Sequence, residues 1–392
     1  MSRLAGSSKL LRAMNESAAL ALLIEAGGLT RADLRQLTEL STPTISEVLR
    51  RLTDAGLITV VGHQSGRPGP SAEVYAVDPA AAYAAAISVR DVGRSDAPSI
   101  VAALCDLTGN VLARHEAAVD FVDTDPTAAL VDVVAQLVDR GAIPAGRLRH
   151  VQIGVAGSYD VRTRTIRYVE VAGLGRPGLV PAVADALGIP VNVDNDVNLA
   201  AVAERRRGAA REVEGFALLW LGDEGLGLAI DIGGTLIRGA RGGAGEIGYM
   251  PLFAPDSAHH KVDLQDLVGG PAVLALAHQH GLSGRTPLEV VSNAAAAPAA
   301  GQFFAQLADR ISVGLAAVIA VLDPPLVVLA GQVAQAGGPT LLACVNSALL
   351  RVAPLESTIA LTGIDDDAVL LGALDAGLAA VRDALIASIR NG

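Results

Sequence analysis

Between residues 11 and 56 the sequence alternates apolar helical stripes with strong stop and start signals, and this punctuation leaves few folds open. Leu11, Met14, Ala18 and Leu22 recur at helical spacing until Gly27 and Gly28 intervene, which predicts a first helix of about 18 residues. In "LTRADLRQLTEL", Thr30 can cap a second helix with Asp33 at its third helical position, while Ala32, Leu34 and Leu37 supply the core side. A third helix follows in "STPTISEVLRRLTDAG". Ser41 or Thr42 caps it, Pro43 fits a first turn where a missing N–H costs nothing, and Ile45, Val48, Leu49 and Leu52 line one face until Gly56 ends it.

Two short helices joined by a tight turn, the second with small polar residues at its start and arginines behind them, read as a helix-turn-helix. Thr42, Pro43, Thr44, Ser46, Glu47 and Arg50 lie off the apolar stripe, with Arg51 beside them, and are the candidate contacts to double-stranded DNA. The next segment, "LITVVGHQSGRPGPSAEVYAVD", reads as two strands around a Gly/Pro-rich tip. That is a wing, whose Gly66, Arg67 and Pro68 would carry an arginine into a narrow minor groove. Glu47 stands apart in this set: it either accepts a hydrogen bond from a cytosine amino group or repels phosphate.

Charge bears on the same point. Residues 1–75 hold eight Lys/Arg against seven Asp/Glu, net +1, which leaves −12 of the total −11 on the remainder. The chain as a whole does not coat nucleic acid. So weakly basic a module predicts poor binding by one copy. A homodimer or homotetramer is expected, because a dimer doubles the phosphate contacts and matches a two-fold operator.

With 392 residues, 51% of them hydrophobic, the chain has material for two or three domains with real cores. The longest apolar runs, such as the one ending at Leu322, stop after about a dozen residues, short of the roughly 20 that a membrane helix needs, so no membrane span is predicted. The opening "MSRLAGSSKLLRAMNESAALALLIEAGG" sets Glu16 and Glu25 on either side of a short apolar patch, the pattern of an amphipathic helix and not of a signal peptide; a cytoplasmic location is expected. Cys105 and Cys344 are far apart and lack CxxC spacing, which fits core thiols and neither a disulfide framework nor a zinc site.

After residue 78 the pattern changes. "AAYAAAISV", "SIVAALCDLTGNVLARHEAAV" with a turn at Thr108, Gly109 and Asn110, and "HVQIGVAG" read as strands, with "DPTAALVDVVAQLVDRG" as a helix among them. A second set repeats the theme: "GIPVNVDNDVNLAAVAERRRG" is strand into helix, "GFALLWLGDEGLGLAIDIGG" a hairpin, and "DPPLVVLAGQVAQAG" strand, glycine turn and helix. The division is a winged helix-turn-helix over 1–78 and an α/β body over 79–392. Two similar halves in the body imply a cleft between lobes.

"VDNDVNLAAVAE", "GLGLAIDIGGTLIRGARGGAGEIGYM" and "LDPPLVVLAGQVAQAG" resemble the ROK family of repressors, open reading frames and sugar kinases, and the module in front resembles its transcriptional-regulator branch. The resemblance implies a two-lobed, actin-like (ribonuclease-H-like) body that binds a sugar or sugar derivative between its lobes. It implies that Asn195 and Asp196 touch sugar hydroxyls, Asp196 being the base of the kinases, a task that suits a carboxylate. By spacing alone the same pair reads equally as a helix cap. Glu246 is retained from the family's "GEIGH" segment, Tyr249 replaces its histidine, and Gln265 stands where a further sugar-binding Glu is found. The zinc loop of the family is missing: "SAHHKVDLQDLVGG" has no cysteine, and His259 and His260 lack thiolate or carboxylate partners at ligand spacing, so no metal is expected.

Phosphoryl transfer on such a fold needs glycine turns around the phosphates. Where the first should stand, "ISVRDVGRSDAPSIVAALCD" keeps only Asp91 and Gly93 as echoes. In the second, "WLGDEGLGLAI", Gly225 and Gly227 persist but Asp223 and Glu224 intrude. Asp231–Thr235, "DIGGT", looks like a phosphate turn yet comes well over a hundred residues too late, and reads as a hairpin tip leading toward Glu246. The expectation is a sugar-responsive repressor or activator with no catalytic residues and no cofactor. A sugar kinase carrying a DNA-binding module and a ligand-free oligomerisation platform are the alternatives.

Overall fold

The computed structural model describes residues 3–391 apart from 65–70, 91–98, 145, 170, 224, 253–261, 298–299, 353–355 and 366. The chain begins with α1 (Arg3–Ala26), the short β1 (Leu29–Thr30), α2 (Arg31–Thr38) and α3 (Thr42–Asp54), followed by the wing strands β2 (Ile58–Gln64) and β3 (Ala72–Val77). Thr30 and Asp33 form a full capping box on α2, and Ser41, not Thr42, caps α3 by accepting from the Thr44 amide. Both caps leave the two helices separated by a turn in which Glu39 is left-handed, with φ 57°. Ile45, Val48, Leu49 and Leu52 are buried as expected. The wing tip with Gly66, Arg67 and Pro68 lies outside the described residues.

Two expectations fail here. In α1 the buried face is Ala13, Ser17, Leu20 and Leu23, while Leu11 and Met14 of the predicted stripe face outward. The helix is apolar on most of its circumference, so period alone does not select a face. In α2 only Leu34 is buried; Ala32 and Leu37 are exposed, because a two-turn helix offers room for one deep anchor.

The first lobe carries β4 (Tyr83–Val89), β5 (Ile100–Asp106), β6 (Val111–Ala117), α4 (Pro126–Arg140), β7 (Leu148–Val155), the hairpin of β8 (Ser158–Asp160) and β9 (Thr165–Arg167), α5 (Leu179–Leu187) and β10 (Val191–Asn195). Its sheet runs β10-β7-β4-β5-β6, antiparallel among β4, β5 and β6 and parallel through β4, β7 and β10. After α6 (Asp196–Arg207) the second lobe has β11 (Phe216–Leu221), β12 (Leu226–Ile232), β13 (Thr235–Leu236), the short pair β14 (Pro251–Leu252) and β15 (Val262–Asp263), α7 (Leu264–Val268), α8 (Gly270–Gln279), α9 (Pro287–Ala296), α10 (Gly301–Leu322), β16 (Leu326–Ala330), α11 (Gln332–Val352) and β17 (Thr358–Leu361), and α12 (Ala368–Asn391) closes the fold. Its sheet runs β13-β12-β11-β16-β17, again three antiparallel strands then two parallel ones. The same order in both sheets is the duplicated lobe that the sequence repeat announced.

Both faces of each sheet are covered, which explains strands as uniformly apolar as "YAAAISV". One face of the first sheet (Tyr83, Ala85, Ile87, Leu104) packs with Leu130, Val133 and Leu137 of α4 and Val183 of α5. The opposite face (Ala84, Ala86, Val101, Ala103, Cys105) packs with Leu370, Ala373, Leu374 and Leu378 of α12. The second sheet buries Phe216, Leu218, Ala229 and Val328 with Val197, Ala200 and Ala201 of α6, and Ala217, Leu219 and Leu329 with α10 and its neighbours. Helices α10 and α11 are long and apolar enough to cross a bilayer, contrary to the run-length estimate from sequence, and both bury a face in this core.

Helices α6 and α12 thus lie together between the sheets. Their backbones touch: a Cβ on Gly372 would stand 1.7 Å from the Leu199 carbonyl oxygen, so this position admits only glycine. Arg207 and Asp375 pair at 2.6 Å along the same seam. The apolar core of α1, α2 and α3 continues without a break into α12 and the first sheet.

Candidate functional site

Strand β10 ends in the "VDND" segment, and the side chain of Asn195 caps α6 by accepting from the Val197 and Asn198 amides at 2.9 and 3.2 Å. The helix-cap reading of this residue is therefore correct. Its Nδ2 donates to the Gly157 carbonyl at 3.2 Å, which ties the β7–β8 turn to the head of α6. Asp194 is held on the other side by Arg238, at 2.6 Å, and by the Asn198 amide group at 3.1 Å.

Asp196 opens α6, and its carboxyl is pushed up to about 7 by burial and by the neighbouring Glu246 charge. Glu246 reaches this place through a glycine. At Gly245, φ is +91° and a Cβ would stand 1.8 Å from the Leu228 carbonyl oxygen, so the chain presses against β12 as only glycine can. Glu246 then accepts from the Ser158 hydroxyl at 2.7 Å. The amide group of Gln265 lies over the same turn, its Oε1 3.2 Å from where a Cβ on Gly248 would be. Asn195, Asp196 and Glu246 are thereby brought together from β10, α6 and the turn after β13, and Gln265 of α7 packs against that turn at Gly248.

Tyr249 is 58% exposed, and its ring meets that of Tyr168 with centroids 5.6 Å apart. Sequence reading missed Tyr168 and Ser158. Both sit in the β8–β9 segment, whose approach to residue 246 is a contact across more than eighty positions and leaves no local pattern.

The regions expected to grip phosphate have structural duties. Asp91 and Gly93 lie outside the described residues, as does Glu224. The Gly222 amide donates to the Gly225 carbonyl at 2.9 Å, closing a tight turn. Asp223, which the sequence places as an intruder, accepts from the Leu288 amide at 2.6 Å in the first turn of α9, and Thr286 takes the next amide, that of Glu289. At Gly227 a Cβ would collide with the Val197 side chain at 2.6 Å, so packing against α6 explains this glycine. Asp231–Thr235 is the hairpin tip that was expected: Gly233 and Gly234 have φ of 59° and 78°, the primed turn that joins β12 to β13. Asp231 pairs with Arg205 at 2.5 Å and accepts from the Gly234 amide. Among the described residues no cluster of His, Cys, Asp or Glu could hold a metal ion; His259 and His260 lie outside them.

In the winged helix, Thr42 and Pro43 are exposed at the head of α3, bordering a hollow that Arg35, Gln36 and Glu39 of the preceding helix and turn also line. The Ser46 hydroxyl turns back to the Thr42 carbonyl at 2.9 Å, and Thr44 shares a hydrogen bond with Ser41. Glu47 occupies both arginines of the helix, Arg50 at 2.8 Å and Arg51 at 2.7 Å, and these hydrogen bonds hold its carboxyl down to about 2. Arg50 also reaches Asp54, while Arg51 leans toward Glu16 of α1 at 3.5 Å.

The ROK family profile matches residues 90–379, and that of the MarR family matches residues 11–67. The DNA-binding transcriptional dual regulator NagC of Escherichia coli K12 is 25% identical over 364 residues, covering 88% of both chains. A crystal structure of a ROK family transcriptional regulator, a homolog of the E. coli MLC protein, superposes with a TM-score of 0.74 at 20% identity, covering 98% of this chain and 100% of that one. A ROK family glucokinase from Streptomyces griseus, solved with glucose and AMPPNP, aligns with 75% of this chain and 99% of its own at 24% identity and a TM-score of 0.57. The duplicated lobes, the "DND" and "GEIGY" segments meeting at Asp196 and Glu246 and the profile spanning most of the chain lead to one conclusion: the protein belongs to the ROK family, with a winged helix-turn-helix at its head.

Proposed function

We propose that this protein is a DNA-binding transcriptional regulator that responds to a sugar or sugar derivative held by Asn195, Asp196, Glu246 and Gln265, with Tyr249 at the rim, and that it has no kinase activity. The reading rests above all on one observation: a single apolar core joins the winged helix to α12, and α12 lies backbone to backbone on α6, the helix that carries Asn195 and Asp196 at its head. A ligand that prefers one setting of α6 thereby biases the placement of α1 and α3, as coupling between two sites requires. The division of roles falls at residues 78 and 79, although packing runs across it.

DNA contact is assigned to the exposed head of α3, with Thr42, Pro43, Thr44, Ser46, Glu47, Arg50 and Arg51, and to the wing with Gly66, Arg67 and Pro68. The working form is a homo-oligomer, because one weakly basic module offers few phosphate contacts. Occupation of the Leu288 amide by Asp223 supports the non-enzymatic reading. The kinase reading has one observation in its favour, a carboxyl at Asp196 poised near neutrality, which suits a general base. The deciding experiment is fluorescence anisotropy on operator DNA, with and without a panel of sugars, run beside calorimetry with magnesium-ATP. Release or tightening by a sugar, without nucleotide binding, supports the regulator. Phosphate transfer from ATP to any hexose rejects it.

A further inference from the structure

Tyr168 and Tyr249 meet beside the turn that carries Glu246, 81 positions apart in a chain that has only five tyrosines. Their rings are tilted by 46°, and both residues remain about half exposed, at 51% and 58%. A pair formed only to fill a core would be buried; this one keeps about half of each residue exposed. Tyr168 is also held in the left-handed region, φ 58°, one residue beyond β9. For a bulky side chain that conformation is strained and persists only where its surroundings impose it. The Arg167 guanidinium lies 5.3 Å from the Tyr168 ring centroid, on the neighbouring side of the same turn.

The turn is anchored to the polar pocket from both sides. Gly157, at the head of the β8–β9 segment, receives the Asn195 amide group, and Ser158 donates to Glu246. Tyr249 follows Glu246 by three residues, and its amide donates to the Glu246 carbonyl at 3.2 Å. The aromatic pair is thus rigidly coupled to the carboxylates and amides that would hold the hydroxyls of one sugar ring, and lies outward of them.

We propose that Tyr168 and Tyr249 form an outer subsite that stacks a second ring attached to that sugar, so that the effector is a glycoside or disaccharide and not a free monosaccharide. This inference rests on the sugar reading of the cleft. Aromatic faces are electron-rich and attract the C–H edges of another ring, while Arg167 backs the platform. A pocket with polar groups inside and an aromatic shelf outside matches a ligand whose inner ring is hydroxylated and whose outer part stacks.

The test is calorimetry on the full chain with three probes for each of several hexoses: the free sugar, its p-nitrophenyl glycoside and a disaccharide of it. The glycoside or the disaccharide is expected to bind about tenfold more tightly than the free sugar, and the ratio is expected to collapse toward one in Tyr168→Ala but to survive in Tyr168→Phe. Preference for the aryl glycoside alone assigns the shelf to aromatic aglycones, and preference for the disaccharide assigns it to a second sugar. Tyr168→Asn, which tolerates the left-handed backbone, serves in place of Tyr168→Ala if the latter lowers the melting temperature. Equal affinity for the free sugar and both larger probes in the unmodified protein overturns the outer subsite and leaves the sugar pocket standing. Failure of every probe to bind overturns the pocket, and the subsite with it.

Discussion

The Ser17 hydroxyl donates to the Ile386 carbonyl at 3.3 Å, so α1 and α12 are joined by a hydrogen bond as well as by their shared core. Because Leu20 and Leu23 complete that core, the winged helix and the body are expected to melt in one transition. Leu23→Ala should cost about 2–5 kcal/mol, the usual range for a buried leucine, and destabilise both parts together. Calorimetric scanning checks this; two well-separated transitions in the unmodified protein would contradict it.

Glu47 neutralises both arginines of α3. Glu47→Gln weakens these pairs and frees positive charge for phosphate, so affinity for DNA should rise several-fold at low salt, with a steeper dependence on salt. Arg67→Ala should do the reverse, reducing the slope of log affinity against log salt by about one. Anisotropy titrations between 50 and 200 mM salt, roughly the range over which counterion release is visible, measure both.

The sign of the Asp196 effect follows from its raised pKa. The unfolded chain releases this proton near pH 4, the folded chain near pH 7, so between these values the folded state holds more protons. The contribution to stability is full below about pH 4 and is lost as pH rises to about 7, with a slope of at most about 1.4 kcal/mol per pH unit. Asp196→Asn should abolish this component and be relatively more stable at pH 8. Urea titrations of both proteins across pH 4–8 show the crossover or its absence.

Glu204 is fully buried near the end of α6 and accepts from the Ala209 amide at 2.7 Å, the Gly363 amide at 3.1 Å and the Thr362 hydroxyl. Removing the carboxylate strands three donors away from water. Glu204→Ala is expected to cost about 3–5 kcal/mol, and Glu204→Gln less, read from the urea midpoint.

What could be read from the sequence divides along physical lines. The caps of α2 and α3, the Gly233–Gly234 turn and the strand-to-helix passage at Asn195 are local, since each depends on groups within about four residues, and all were legible. The buried face of α1 was not, because it is chosen by α12, more than three hundred residues away, on a helix with apolar groups nearly all round. Asn195, Asp196, Glu246 and Gln265 came from a family pattern; the fold sets Asp196 beside Glu246 and packs Gln265 on the turn at Gly248. Ser158 and Tyr168 carry no pattern; only the three-dimensional return of β8 and β9 to Glu246 reveals them.

The bond from the Leu288 amide to Asp223 has a consequence for ligands that never stay. A carboxylate tethered by its own backbone beside a helix head behaves as an intramolecular competitor, present at an effective concentration on the order of millimolar or higher. A free anion arriving at α9 meets a seat already taken, by an occupant that cannot diffuse away.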